Sequence, residues 1–373
     1  MQVSQGNFQL LRYPTVKQEK LRAWDAADEY ILNDIAGKIT NINTRILLVN
    51  DRFGALAVAL HQYHPCVVTD SYIAQRAICE NLRLNQQGEN FVSVFDSLNL
   101  PTESFDFILI KAPKTLAFFE DLLLRLQDNL KPNTQVIVAG MVKNMPNAIW
   151  QTLARLIGST TPSKAVKKAR LIYATPDTAR EIPANPYPTH YQLEGSAYQI
   201  YNHANVFSRQ QLDMGTRFFL KHLPCHQKYQ QVVDLGCGNG VVGLIFAAKN
   251  PTATLHFVDE SFMAVASAQQ NFRLAFAQRH ANFNATDALA DFTPRSVDLV
   301  LCNPPFHQQN TIGNHIAMRM FKQAAQILSA NGELWVIGNR HLGYQNSLKQ
   351  YFTKVELVAA NAKFIILKAA NGR

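Results

Sequence analysis

Asn303-Pro304-Pro305-Phe306, set directly after the apolar run 297–302, is the group best suited to chemistry in this 373-residue chain. The Asn303 amide oxygen and the Pro304 carbonyl are acceptors, and the Phe306 ring is a flat apolar face. Pro304 and Pro305 lock φ and keep those acceptors from turning away. Two acceptors beside an aromatic ring suit a planar base with an exocyclic NH2. A proline-rich turn closing a strand is the plainer account of the same residues, so the rest of the second half must decide.

Residues 232–243 supply the next group. An apolar stretch carrying Asp234 runs into Gly236, Gly238 and Gly240, then into an apolar segment of helical character. Glycines at a strand-to-helix turn permit positive φ and close approach of a ligand to the backbone. A second apolar run, 254–258, ends in Asp259, where a carboxylate can bond both hydroxyls of a ribose. A nicotinamide dinucleotide and S-adenosylmethionine both satisfy this much. Three details favour the methyl donor. Asp234 can face the ammonium of a methionine moiety, and Asp287 follows a third strand within reach of an adenine amino group. The Asn-Pro-Pro-Phe strand end has no use in hydride transfer, which calls for a polarising acid or a carboxylate clamp.

The elements that position these residues occur twice. Residues 45–54 take the place of the glycine-rich strand and turn, and Val67-Val68-Thr69-Asp70-Ser71 echoes Phe257-Val258-Asp259-Glu260-Ser261. Residues 104–114 match 296–306 in step, and 130–138 match 328–336. A repeated strand-helix order predicts an α/β chain of two tandem Rossmann-like, doubly wound domains, each with a mainly parallel sheet. The proline-rich stretch 182–190 separates them, giving domains 1–185 and 186–373, and residues 191–201 read as a hairpin. The first copy keeps only Gly54 of the glycines and replaces Asn303 and Phe306 by Lys111 and Lys114. It is expected to be degenerate, serving as support or as an RNA-docking surface, with Asp70 kept as a helix cap.

These motifs resemble class I S-adenosylmethionine-dependent methyltransferases that modify amino groups. More narrowly, residues 303–309 and the stretch 205–216 resemble the bacterial ribosomal RNA guanine-N2 methyltransferases. Trp24-Asp25-Ala26-Ala27-Asp28-Glu29-Tyr30 and residues 111–117 carry the likeness across the chain, toward the large-subunit (23S) members rather than the small-subunit (16S) ones. The resemblance implies Asn303, Pro304, Pro305 and Phe306 as catalytic residues and S-adenosylmethionine as the cofactor. It also implies that Phe207, Arg209, Asp213, Gly215 and Thr216 belong to the element covering the cofactor near its methionine end, and that ribosomal RNA or a ribosomal particle is the partner. The segment 206–220 also reads simply as a helix capped by Asp213.

Composition is consistent with this reading. A formal charge of +9 and 47% hydrophobic residues describe a globular protein that favours a polyanionic partner. The densest basic run holds Lys164, Lys167, Lys168 and Arg170. With Lys111, Lys114, Arg209 and His307, these are the candidate RNA contacts. The 5 cysteines form no C-x-x-C pair, and no metal site is expected. The N-terminus lacks an apolar signal core and no apolar stretch reaches membrane-spanning length, which predicts a cytoplasmic protein.

Overall fold

The computed structural model describes residues 1–16, 19–226, 228–305 and 311–371, and of residues 311–314 the backbone alone. The chain forms two compact units, Met1–Tyr187 and Pro188–Arg373.

In the first unit a short hairpin, β1 (Gln2–Val3) and β2 (Gly6–Asn7), precedes α1 (Ala26–Ile35). The α/β order follows: β3 (Ile46–Val49), α2 (Ala55–Ala59), β4 (Cys66–Thr69), α3 (Tyr72–Leu84), β5 (Ser93–Asp96), β6 (Phe107–Lys111) and α4 (Leu116–Arg125). It closes with β7 (Gln135–Met141), α5 (Asn147–Leu156), β8 (Gly158–Pro162) and β9 (Ala169–Pro176). The strands form one 7-stranded sheet in the order β5-β4-β3-β6-β7-β9-β8. Pairing is parallel from β5 to β7, and β9 and β8 add an antiparallel edge.

The second unit opens with a hairpin, β10 (Thr189–Gln192) and β11 (Gln199–Asn202), as the alternation of residues 191–201 predicts. Then come α6 (Met214–Leu220), β12 (Gln231–Leu235), α7 (Val241–Lys249), β13 (Thr254–Asp259), α8 (Phe262–Ala275), β14 (Asn282–Ala285) and β15 (Val297–Cys302). The unit ends with α9 (Thr311–Ile327), β16 (Leu328–Asn339), α10 (Tyr344–Leu348), β17 (Lys354–Ala360) and β18 (Phe364–Ala370). Its sheet order, β14-β13-β12-β15-β16-β18-β17, repeats that of the first unit strand for strand.

Both sheets are covered on both faces, which is why their central strands read as unbroken apolar runs. Leu48 belongs to one apolar cluster and Leu47 to the opposite one, while Val232 and Val233 divide in the same way, as a period of two requires. The duplication extends to single hydrogen bonds. Ser71 caps α3 by accepting from the Ala74 amide, and Ser261 caps α8 by accepting from the Ala264 amide, each at 3.1 Å. Asp70 is therefore not the cap; its carboxylate accepts instead from the Ser97 hydroxyl at 2.6 Å. Asn81 donates to the carbonyls of Leu11 and Phe53, and Asn271 donates to those of Tyr201 and Asn239. Gly54 and Gly240 start α2 and α7 at φ 79 and 77, where a side chain would be strained.

Candidate active site

In the second unit the strand order reverses between β12 and β15, and the candidate residues lie at the carboxyl ends of those strands, where open α/β sheets bind ligands. Leu235 and Cys302 are register partners, so Gly236 and Asn303 leave the sheet side by side. A side-chain carbon on Gly236 would lie 4.0 Å from the Asn303 carbonyl oxygen. The glycine turn and the Asn-Pro-Pro corner therefore form one site.

Asn303 is held by α6. Its Nδ2 donates to the Thr216 hydroxyl at 2.9 Å, and its Oδ1 is buried with no hydrogen-bond partner among the described residues. Asp213 caps α6, with its Oδ2 accepting from the Thr216 amide at 2.8 Å and from the Thr216 hydroxyl at 3.3 Å. Gly215 sits within that turn: a side chain there would come within 3.0 Å of the Asp213 carboxylate and 3.2 Å of the Phe364 ring. Pro304 is buried and Pro305 exposed. Phe306 and His307 lie outside the described residues.

The turn itself places Gly236, Gly238 and Gly240 at φ 70, 54 and 77. A side chain on Gly238 would meet open space, whereas one on Gly240 would strike Ala268 at 2.7 Å. Gly238 thus faces room for a ligand, and Gly240 allows α7 to pack on α8. Asp259 joins the turn to β13, accepting from the Gly238 and Ser261 amides at 3.0 Å each. Behind it, Asn239 donates to Asn202 at 2.9 Å, which ties the β10–β11 hairpin to the turn.

Asp234 is buried at the end of β12 and accepts from the Gly243 amide at 2.8 Å. Burial pushes its carboxyl up to about 8; the Gly243 hydrogen bond works against that rise and the Asp259 charge adds to it. A buried acid in that state gains from a cation placed beside it. Asp287, expected to reach an adenine amino group, is buried, and the half-buried Arg319 of α9 donates to its Oδ2 at 2.7 Å in an ion pair. Sequence reasoning placed Thr216 in the element over the cofactor but not its bond to Asn303, and it missed Arg319. The spacing Asp213-x-x-Thr216, a cap residue and its third follower, was a legible signal for Thr216; none existed for Arg319, which is brought to Asp287 by the fold alone.

The first unit rewrites the same positions. Lys111 ends β6 as Asn303 follows β15, but its ammonium is only 13% exposed and is held by Asp28 at 2.5 Å and Asp25 at 3.0 Å. Desolvation opposes the charge on Lys111, yet the flanking Asp28 and Asp25 outweigh it and hold its pKa above the usual lysine value. Its charge is neutralised inside the unit, which removes Lys111 from the RNA contacts predicted from sequence. Lys114, Lys164, Lys167 and Lys168 are exposed, and Arg170 and Arg209 are half-buried. Lys167, 72% exposed, also pairs with Glu29 at 3.0 Å. Phe207 is exposed in the segment that leads into α6. Among the described residues no cluster of His, Cys, Asp or Glu is arranged to hold a metal, and no helix is long and apolar enough to cross a membrane.

Comparison with known proteins agrees with this division. Residues 1–178 match a family model described as the RLMG N-terminal domain, and residues 197–368 match one described as the methyltransferase small domain. A solved structure of a T. thermophilus 16S rRNA N2 G1207 methyltransferase, in complex with AdoMet and guanosine, aligns over 88% of each chain with a TM-score of 0.74 at 19% identity, and shares the fold. The ribosomal RNA large subunit methyltransferase G of Ectopseudomonas mendocina is 48% identical over 368 residues, 98% of each chain. That of Pseudomonas paraeruginosa is 49% identical over 365 residues, covering 98% of this chain and 97% of its own. With such identity along nearly its whole length, the chain belongs to the ribosomal RNA large subunit methyltransferase G family.

Proposed function

We propose that the second unit transfers the methyl group of S-adenosylmethionine to the exocyclic N2 of a guanine in large-subunit (23S) ribosomal RNA, as free RNA or within a ribosomal particle in the cytoplasm. The observation that carries this reading is the Asn303 amide: its nitrogen is engaged by Thr216 and its oxygen is buried without a partner among the described residues. A buried acceptor left unpaired costs free energy, about 1–3 kcal/mol, and a ligand donor recovers it.

The residues present fit the methyl donor. Gly238 faces open space, Asp259 stands beside it to take ribose hydroxyls, and Asp234 is a buried acid suited to an ammonium. When bound, S-adenosylmethionine supplies an electrophilic methyl on a sulfonium. The chain's own part is to hold the amine. Asn303 Oδ1 and the Pro304 carbonyl accept from the two N–H groups, drawing N2 out of the ring plane and releasing a lone pair otherwise delocalised into the base. Both acceptors stand where positive charge develops, so they favour the transition state over the bound substrate. Phe306 stacks on the base and sets its angle. No strong general base is required, because the alkylated amine is acidic enough to lose its proton to water. A guanine within a helix must be extruded or already unpaired for its edge to enter the site.

Phosphate contact falls to the exposed lysines at 114, 164, 167 and 168, with Arg170, Arg209 and His307 as further contacts. The test is methyl incorporation into 16S and 23S RNA from cells lacking this protein, followed by nucleoside mass spectrometry. One N2-methylguanine in the 23S fraction is expected, and Asn303→Ala abolishes it while S-adenosylmethionine still binds. Full activity of Asn303→Ala, or label found in N6-methyladenine or in 16S RNA, would sink the reading.

A further inference from the structure

The Asn303 amide has two possible orientations, and only one presents an oxygen to an amine. Its nitrogen end meets the Thr216 hydroxyl at 2.9 Å. A hydroxyl can serve either end of an amide, since it both donates and accepts. What removes that freedom is Asp213, whose Oδ2 lies 3.3 Å from the Thr216 hydroxyl and 2.8 Å from the Thr216 amide. A carboxylate only accepts. The Thr216 proton therefore goes to Asp213, and only lone pairs remain toward Asn303. The amide must answer with N–H, and its oxygen must face the other way, where it is buried and has no partner among the described residues.

The first unit supplies an internal comparison. Asp25 caps α1 as Asp213 caps α6, Asp28 stands at the third helical position as Thr216 does, and Lys111 takes the place of Asn303. There too a donor points at the helix start, with Lys111 Nζ on Asp28 and Asp25. Lysine has no acceptor at its other end, so the same three positions make only a closed ion pair. An amide in place of that lysine is what turns a structural bond into a reagent-facing acceptor.

We propose that Thr216, with its proton taken by Asp213, is a positioning residue that sets the orientation of the Asn303 amide and so aims its oxygen at the substrate amine. The proposal rests on the function proposed above. The test uses the full-length protein on unmodified large-subunit ribosomal RNA. Thr216→Val keeps the shape and the helix-cap amide but offers Asn303 Nδ2 no acceptor. It should lower kcat by about a hundredfold, as loss of orientation at a reacting centre does, with KM for RNA and Kd for S-adenosylmethionine unchanged. Thr216→Ser restores the hydroxyl and should restore kcat. A Thr216→Val enzyme with undiminished kcat beside an inactive Asn303→Ala overturns the proposal and leaves the proposed function standing. So does a Thr216→Val loss that saturating S-adenosylmethionine repairs, or a Thr216→Ser variant as slow as the valine one. An active Asn303→Ala overturns both.

Discussion

Asp234 shows at the scale of one residue how burial sets the charge of a carboxyl. Its carboxyl titrates near 8 against an ordinary 3.8, chiefly because it is buried. The folded free protein thus holds a proton there that the unfolded chain releases near pH 4. Its contribution to stability falls as pH rises from about 4 to about 8, because the unfolded state binds fewer protons across that window. Ligand binding has the opposite sign. An ammonium prefers the ionised carboxylate, so the affinity for S-adenosylmethionine should increase toward pH 8, by at most about tenfold per unit. It should level off there, since an α-amino group itself loses its proton at about 7.7–8.0. Calorimetric titration from pH 6 to 8 measures this, and Asp234→Asn should bind weakly with a flat profile over the same range; a wild-type affinity that falls with pH would contradict the assignment. Asp234, Asp259 and Asn303 were legible in the sequence because strand ends in this fold have recognisable neighbours. Asp287 was legible as a position but not in its bonding, which depends on an arginine 32 residues away.

At the scale of an element, the turn before β9 is the informative piece. Val166 and Ala169 exchange both backbone hydrogen bonds, at 2.9 and 2.8 Å, around Lys167 and Lys168 at φ 48 and 64. This is the backbone of a two-residue turn that favours Asn-Gly, and a lysine in the left-handed region costs roughly 1 kcal/mol or more. The Lys167–Glu29 pair is too exposed to offset that, being worth about 0–1 kcal/mol. Two strained lysines at an exposed tip suit a role in binding rather than in folding. Lys167→Asn with Lys168→Gly should therefore raise the melting temperature and weaken RNA binding, lowering the salt slope by about one for each phosphate no longer neutralised. Unchanged affinity and slope would remove this turn from the RNA surface. The charge run was visible in the sequence, but its geometry was not, because nothing in Lys-Lys announces positive φ.

At the scale of the whole molecule, one fold is used twice with different ends. In the second unit the three positions at the helix start and strand end carry Asp213, Thr216 and Asn303; in the first they carry Asp25, Asp28 and Lys111. In the first unit Lys111 and Asp28 form a buried ion pair beside the exposed Asp25, so Lys111→Met leaves the buried Asp28 without its cation. Breaking such a pair costs about 3–5 kcal/mol, and denaturant unfolding should show that loss in the first unit while kcat on ribosomal RNA in the folded protein is kept. A variant of full stability with weakened RNA binding would instead return Lys111 to the RNA surface. The sequence by itself determined the duplication and the repeated strand-helix order, because unbroken apolar runs, glycines at strand-to-helix turns and a proline-locked corner are local properties. Only the tertiary structure decided which charges are neutralised internally, as Lys111 is, and which groups lack a partner among the described residues, as Asn303 Oδ1 does. Hydrogen-bond partners are chosen by folding across tens of residues, and no spacing along the chain encodes whether an acceptor will find its donor within the protein or must wait for a ligand.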